Sequence, residues 1–232
     1  MSSQRGNVVA LLPAAGYGSR LGGDVPKQYL QLTGGSVLDC TLHHIRSVAM
    51  VSEIVLVVSS AELKQRSYPD DVRLTIGGNT RAMSVYNGLK YIHQTLNHDG
   101  MVLVHDAARP CVRVADIERL IDDAGKSADG GILAVPMHDT VKRVDKKSRI
   151  TTTVDRVGLW RAVTPQLFMV GPLLAALQKA AADHIPVTDE ASAMEYAGFH
   201  PRVVPCAQDN IKITVAEDMA LARQILTAQN DL

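Results

Sequence analysis

Short apolar runs alternate with stretches of helical periodicity along most of this chain. Residues 8–12, 54–59, 101–105 and 131–135 are largely continuous apolar runs bounded by turn-forming residues, the pattern of strands buried on both faces. Residues 37–48, 81–96, 115–125 and 172–183 instead repeat their apolar positions at helical spacing. In the second of these, Val85, Leu89, Ile92 and Leu96 fall on one face. Strands alternating with helices predict an α/β fold in which a mainly parallel central sheet is covered on both sides. Ligands in such folds sit beyond the carboxyl ends of the strands, which places the segment after Leu12 and the His105-Asp106 pair on one rim. Residues 139–155, DTVKRVDKKSRITTTVD, break the alternation: they are rich in β-branched residues, carry a polar turn at 145–148 and predict a hairpin. Their apolar positions are too sparse to anchor a core, so the expectation is a projecting arm that packs against a second copy of the chain.

Composition narrows the function classes. With 232 residues and 46% hydrophobic content, the chain can bury a core of ordinary size. Twenty-four basic residues balance twenty-four acidic ones, so nothing in the net charge points to nucleic acid. Aromatics make up only 4%, too few for a base-stacking surface, so a nucleotide site here would rely on backbone and phosphate contacts. Cys40, Cys111 and Cys206 are scattered, without the spacing of a disulfide framework or a zinc site, and the expectation is thiols in a reducing cytoplasm. No secretory leader pattern or membrane-length apolar run is present, and no membrane or nucleic-acid partner is expected.

The richest chemistry follows the first apolar run. Gly16, Gly18, Gly22 and Gly23 lie in one loop with Arg20 and Lys27, and Asp24 is the one acidic residue between those cations. Glycines let a backbone bend and bring its N–H groups against an anion. Two cations beside such a bend suggest several negative charges held together, as in a triphosphate. The loop lacks the Gly-Lys-Ser/Thr triplet of a Walker loop, and Leu21 stands where the dinucleotide fingerprint needs its third glycine. Asp39, near the spacing of that fingerprint's acidic residue, lies in a helical-looking segment. A nicotinamide-dependent oxidoreductase stays open as an alternative, as does a plain glycine-rich turn with solvated cations.

Further along, Gly77 and Gly78 precede a helix whose N-cap is Asn79 or Thr80, either a docking point for a base or phosphate or an ordinary turn and cap. Asp106 ends a strand and is read either as a Mg²⁺ ligand or as an ion-pair partner of Arg109. Asp209 is read as a second oxygen for that metal, and Lys212 follows it on the alternate face if the segment is extended. Thr188 opens a helix that Gly198 closes, as an N-cap or as a substrate contact. His43, His44, His93, His98, His138, His184 and His200 show no ligand spacing, and no Ser–His–Asp or catalytic cysteine arrangement stands out.

Read whole, PAAGYGSRLGGDVPKQYL resembles the signature loop of the 2-C-methyl-D-erythritol 4-phosphate cytidylyltransferases. Matching stretches follow in family order at GGNTRAMSVYNGL, VHDAARP, TVDRVGLW, TPQLF, TDEASAMEYAGF and DNIKIT, from Val8 to about Leu221. The resemblance implies a three-layer, Rossmann-like nucleotidyltransferase fold of GT-A type, as one domain over 1–232 with a dimerising arm at 137–157. It implies transfer of CMP from CTP to 2-C-methyl-D-erythritol 4-phosphate in the non-mevalonate isoprenoid pathway, giving 4-diphosphocytidyl-2-C-methyl-D-erythritol and pyrophosphate. It also implies Mg²⁺, a cytoplasmic homodimer, and an Arg156 that reaches the partner's site. Carried over by motif, Pro13, Ala14, Ala15, Gly16, Gly18, Gly78, Asn79, Arg81, Ser84 and Ala107 become nucleotide contacts. Arg20, Lys27, Arg156 and Lys212 become the catalytic cations. Asp106, Arg109, Thr140, Arg156, Thr164, Thr188 and Lys212 become substrate contacts, with Asp106 and Asp209 on the metal. The family often has Asp where this chain has Asn79. Another polyol phosphate such as ribitol 5-phosphate is the close alternative acceptor, and a non-catalytic nucleotide-binding module is a third reading.

Overall fold

The computed structural model describes residues 8–16 and 25–230. The chain runs β1 (Val8–Pro13), β2 (Gln31–Leu32), β3 (Gly35–Ser36), α1 (Val37–Arg46), β4 (Val51–Val58), α2 (Ser60–Gln65), β5 (Val72–Ile76), α3 (Arg81–Gln94) and β6 (Met101–Val104). It continues through α4 (Val114–Ala124), β7 (Gly131–Pro136), β8 (Val141–Val144), β9 (Ile150–Val154), β10 (Trp160–Met169), α5 (Val170–Ala182), α6 (Glu190–Tyr196), β11 (Arg202–Pro205) and α7 (Glu217–Asn230). Seven strands form one sheet in the order β11-β7-β10-β6-β1-β4-β5. It is mainly parallel; only β10 runs antiparallel, to both β6 and β7.

The apolar runs become strands because both faces of the sheet are covered. In β1, Val8, Ala10 and Leu12 belong to a cluster with Leu42 and Ile45 of α1 and Ile117 and Leu120 of α4. The intervening Val9 and Leu11 pack with Val85, Leu89 and Ile92 of α3 and Leu173 and Leu177 of α5. A two-residue period in the strand thus feeds two separate layers. A third patch places Met219, Ala222 and Leu226 of α7 against Leu32, Val37, Cys111 and Ile213. Among the described residues no helix is long and apolar enough to cross a membrane.

Side chains fix the starts of α1, α3 and α6. Ser36 and Asp39 form a reciprocal capping box at α1, which explains why Asp39 sits inside a helix. Thr80 caps α3, its Oγ1 accepting from Met83 N at 3.1 Å. The helix expected to open at Thr188 starts later: Asp189 is the cap, accepting from Ser192 N at 2.9 Å. A carboxylate in that position satisfies the orphan N–H better than a hydroxyl one residue earlier. Gly198, with φ +94°, lies beyond the C-cap Ala197. The segment 209–215, read as extended, forms no strand. β10 escapes the sequence pattern because Pro165 interrupts it; the sheet accommodates that residue where the pairing with β7 shifts register.

β8 and β9 form a separate two-stranded hairpin outside the main sheet. Val144 and Ile150, paired across it, remain 53% and 64% exposed.

The contact of α3 with the sheet depends on a missing side chain. A Cβ on Gly88 would stand 2.4 Å from Leu11 Cδ1 and 2.9 Å from Val57 Cγ2, both in the buried core. Gly88→Val therefore overpacks the interface by more than its gain in helix propensity returns. We expect a loss of about 2 kcal/mol, read as a lowered midpoint in urea unfolding at unchanged slope.

Candidate active site

The carboxyl ends of β1, β4, β5 and β6 converge on a cleft of about 740 Å³. One wall is the backbone from Pro13 to Gly16. It is tied to the sheet by Ala14 N, which donates to Val57 O at 2.8 Å. Gln28, 3% exposed, folds back beneath it and donates from Nε2 to Ala14 O at 2.6 Å and Gly16 O at 3.3 Å. Lys27, on the short 3-10 turn with Gln28, lines the cleft and donates from Nζ to Ile213 O at 2.9 Å.

The opposite wall is the turn at Gly77 and Gly78. A Cβ on Gly77 would meet Ala15 Cβ at 2.6 Å, and one on Gly78 would meet Met83 Cγ at 2.1 Å. Both positions need glycine because the two walls and the first turn of α3 approach too closely for a side chain. Ser84 holds this turn: its hydroxyl accepts from Gly78 N at 3.1 Å and lies 2.9 Å from Thr80 O, to which it donates.

The floor is an ion cluster. Asp106, 7% exposed, takes Arg81 Nε at 2.9 Å, Lys212 Nζ at 2.9 Å and Arg109 Nε at 3.3 Å. Burial opposes its ionisation, but Arg81, Lys212 and Arg109 outweigh burial and hold its carboxyl far below the usual carboxylate range. Arg81 is forked a second time, onto Glu190 at 2.7 and 3.1 Å, and Glu190 is 1% exposed. Burial works against the Arg81 charge, yet Glu190 and Asp106 together raise its pKa.

Behind the cluster a chain of hydrogen bonds sets the direction of the 105–109 turn. Asp106 N donates to Thr164 Oγ1 at 3.0 Å, Thr164 Oγ1 lies 3.1 Å from His105 Nδ1, and His105 Nε2 lies 3.1 Å from Arg109 O. A carbonyl only accepts, so Nε2 carries the proton and Nδ1 accepts from the Thr164 hydroxyl. Asn210 completes the frame by donating to Thr164 O at 2.8 Å, while Arg109 Nη1 donates to Asn210 O at 2.9 Å.

Of the residues named from sequence, Pro13, Ala14, Ala15, Gly16, Lys27, Gly78, Asn79, Arg81, Ser84, Asp106, Ala107 and Lys212 all line this cleft. Gly18 and Arg20 lie outside the described residues. Arg109 and Thr164 support Asp106 from behind rather than lining the cleft. Thr140 and Arg156 stand at the base of the arm, exposed, with Arg156 donating to the His138 carbonyl. Thr188 is exposed, and its N–H donates to Ser192 Oγ at 3.1 Å.

Asp209, expected with Asp106 on a metal, keeps one buried oxygen, Oδ1, without a hydrogen-bond partner. Asp209 accepts from Arg113 at 2.5 Å and does not line the cleft, because its segment runs as an irregular loop rather than a strand. Among the described residues no group of three His, Cys, Asp or Glu is placed to hold a metal ion. Asp106, the cleft carboxylate, takes three cations on its two oxygens. Sequence reasoning missed Gln28 and Glu190, and placed His105 on the rim without its bonds to Thr164 and Arg109. Gln28 stood next to Lys27, but no spacing signals that Glu190 pairs with a residue 109 positions away.

The chain matches the family described as IspD, 2-C-methyl-D-erythritol 4-phosphate cytidylyltransferase, over residues 8–228. The curated protein of that name from Vibrio vulnificus strain CMCP6 is 42% identical over 236 residues, covering 100% of this chain and 99% of the relative. That from Haemophilus influenzae strain PittEE is 46% identical over 223 residues, covering 95% and 97%. The crystal structure of the Francisella tularensis protein of that name superposes with a TM-score of 0.82 at 38% identity, covering 94% of this chain and 99% of that one. A crystal structure of a 4-diphosphocytidyl-2C-methyl-D-erythritol synthase gives the same TM-score and identity over 95% and 98%.

Full burial pushes the His105 imidazole down to about 4, against an ordinary value of 6.5. The folded form keeps it neutral while the unfolded chain takes up a proton below about pH 6.5. Its contribution is therefore complete above that pH and is lost as pH falls toward 4, by about 3 kcal/mol in all. His105→Gln removes the titration. Urea unfolding between pH 7 and pH 4 should give a stability profile flatter by about that amount in the variant.

Proposed function

The chain belongs to the 2-C-methyl-D-erythritol 4-phosphate cytidylyltransferase family, and from that premise we propose how its own residues divide the work. The reaction is CTP-dependent cytidylyl transfer to 2-C-methyl-D-erythritol 4-phosphate, a step of isoprenoid biosynthesis. The observation that carries the assignment of roles is that one cleft gathers the Pro13–Gly16 backbone, the Gly77–Gly78 turn, Lys27 and Lys212 around Asp106.

A phosphomonoester oxygen of the acceptor attacks the α-phosphorus of CTP, and the bond to pyrophosphate breaks with its electrons leaving on pyrophosphate. The nucleophile is largely dianionic near pH 7, so no general base is required. His105 is not placed to serve as one: it does not line the cleft, both its nitrogens are engaged, and burial makes its imidazole a weak base. The difficulty is electrostatic, one anion approaching another, and fixed cations answer it. Lys27 opposes charge on the triphosphate, together with Arg20 from outside the described residues. Lys212, oriented by Asp106 at 2.9 Å, steers the acceptor phosphate. Asp106, which lines the cleft, and Asp209, whose buried Oδ1 has no hydrogen-bond partner, would be the groups to hold a divalent cation, which would offset charge on the phosphates.

The arm supplies the remaining part of the reading. Val144, Ile150 and the 85%-exposed Val157 give it an apolar surface suited to a second copy of the chain. Arg156 does not line its own cleft, which supports its delivery to a partner's cleft within a homodimer.

Pyrophosphate release tests this reading directly, with each of the four nucleotides and with methylerythritol phosphate against ribitol 5-phosphate. Only CTP with methylerythritol phosphate should give full turnover. Lys27→Ala should lower turnover by about a hundredfold; wild-type turnover in that variant would remove Lys27 from the mechanism. Arg156→Ala should raise the KM for methylerythritol phosphate and leave CTP affinity by calorimetry unchanged. An equal loss of CTP affinity would contradict its assignment to the acceptor.

A further inference from the structure

Lys27 enters the cleft from its own turn, but a distant part of the chain fixes its ammonium: Nζ donates to the carbonyl of Ile213 at 2.9 Å. That carbonyl belongs to the irregular segment leading into α7, and two devices hold the segment in place. Ile213 N donates to Ala108 O at 2.9 Å, with the Ile213 side chain fully buried. Asp218, in the first turn of α7, gathers the next bend. Its Oδ2 alone accepts from Thr214 N at 2.7 Å, Thr214 Oγ1 at 2.9 Å and Val215 N at 3.0 Å. Burial opposes ionisation of Asp218, but these N–H groups, the Thr214 hydroxyl and the charge of Lys27 outweigh it and hold its carboxyl below the ordinary value. Lys212, one residue before Ile213, is anchored separately by Asp106 at 2.9 Å, so slack in the bend falls chiefly on Lys27.

We propose that Asp218 is a positioning residue for Lys27: by clamping the bend at Thr214 and Val215 it sets where the Ile213 carbonyl, and with it the ammonium, stands against the nucleotide's phosphates. The inference rests on the role given to Lys27 above. Misplacing a transition-state donor by about 1 Å can cost about a hundredfold in rate.

The test is a double-mutant cycle on the full chain, read as kcat and KM for CTP in pyrophosphate release, with the thermal midpoint recorded for each variant. Asp218→Ala should lower kcat by about tenfold or more with a smaller change in KM. Asp218→Asn, whose amide oxygen still accepts the backbone N–H groups, should recover most of that loss. Adding Asp218→Ala to Lys27→Ala should cost less than about threefold further, because the group it positions is already gone. Independent, multiplying losses in the double variant, or an Asp218→Asn variant as slow as Asp218→Ala, would overturn the proposal. Should Asp218→Ala not fold, Thr214→Val removes one clamp bond and runs through the same cycle with Lys27→Ala, where independent, multiplying losses would overturn the proposal. Wild-type turnover in Lys27→Ala alone would bring down the assignment of Lys27, and this inference with it, so the two failures are distinguishable.

Discussion

Asp106 is a carboxylate buried at the floor of the cleft with Arg81, Arg109 and Lys212 drawn onto its two oxygens. Taking a charge out of water costs several kcal/mol, and attraction to buried partners at best offsets that cost. The consequence of the cluster is therefore geometric more than stabilising. Each cation comes from a different part of the chain: the start of α3, the turn after β6 and the loop before α7. One negative charge thus fixes the relative position of three elements, and the direction of that carboxylate is set in turn by the Asp106–Thr164–His105–Arg109 hydrogen bonds. Glu190 extends the arrangement to α6 by taking the other edge of Arg81.

The walls obey a different constraint, the close approach of backbones. Gly77 lies against Ala15, Gly78 against Met83, and Gly88 against Leu11, so that α3 can start at the cleft and still pack flat on the sheet. Polar side chains that look chemically available are spent on this architecture. Ser84 ties the glycine turn, and Gln28 straps the first loop from beneath. Backbone walls of this kind suit a chain poor in aromatic residues.

In the reaction proposed above, which joins anions and calls on no proton-transfer group, these two constraints set the cations in place before reaction rather than by reorganisation during it. Lys212 is paired with the Asp106 carboxylate, and Lys27 donates to the Ile213 carbonyl. The imidazole beside the cluster stays neutral and supports the turn.

The apolar pattern by itself determined the layered α/β architecture, the two faces of β1 and the inward stripe Val85, Leu89 and Ile92 of α3. Burial is a property of each residue in its own element, so it leaves a period that can be read locally. The Gly77–Gly78 turn and the strand-ending Asp106 were legible for a similar reason, since bends and strand ends restrict residue types in place. The choice of polar partners was not legible. Asp209 and Asp106 share a charge type and a plausible spacing, yet the loop leading to α7 gives Asp209 to Arg113. Thr188 precedes a helix that Asp189 caps, and Thr164 turned out to serve His105 and Asp106 from behind. Only the tertiary structure decided these pairings, because a charge or hydroxyl bonds whatever the topology brings within about 3 Å, and that distance is unrelated to separation along the chain.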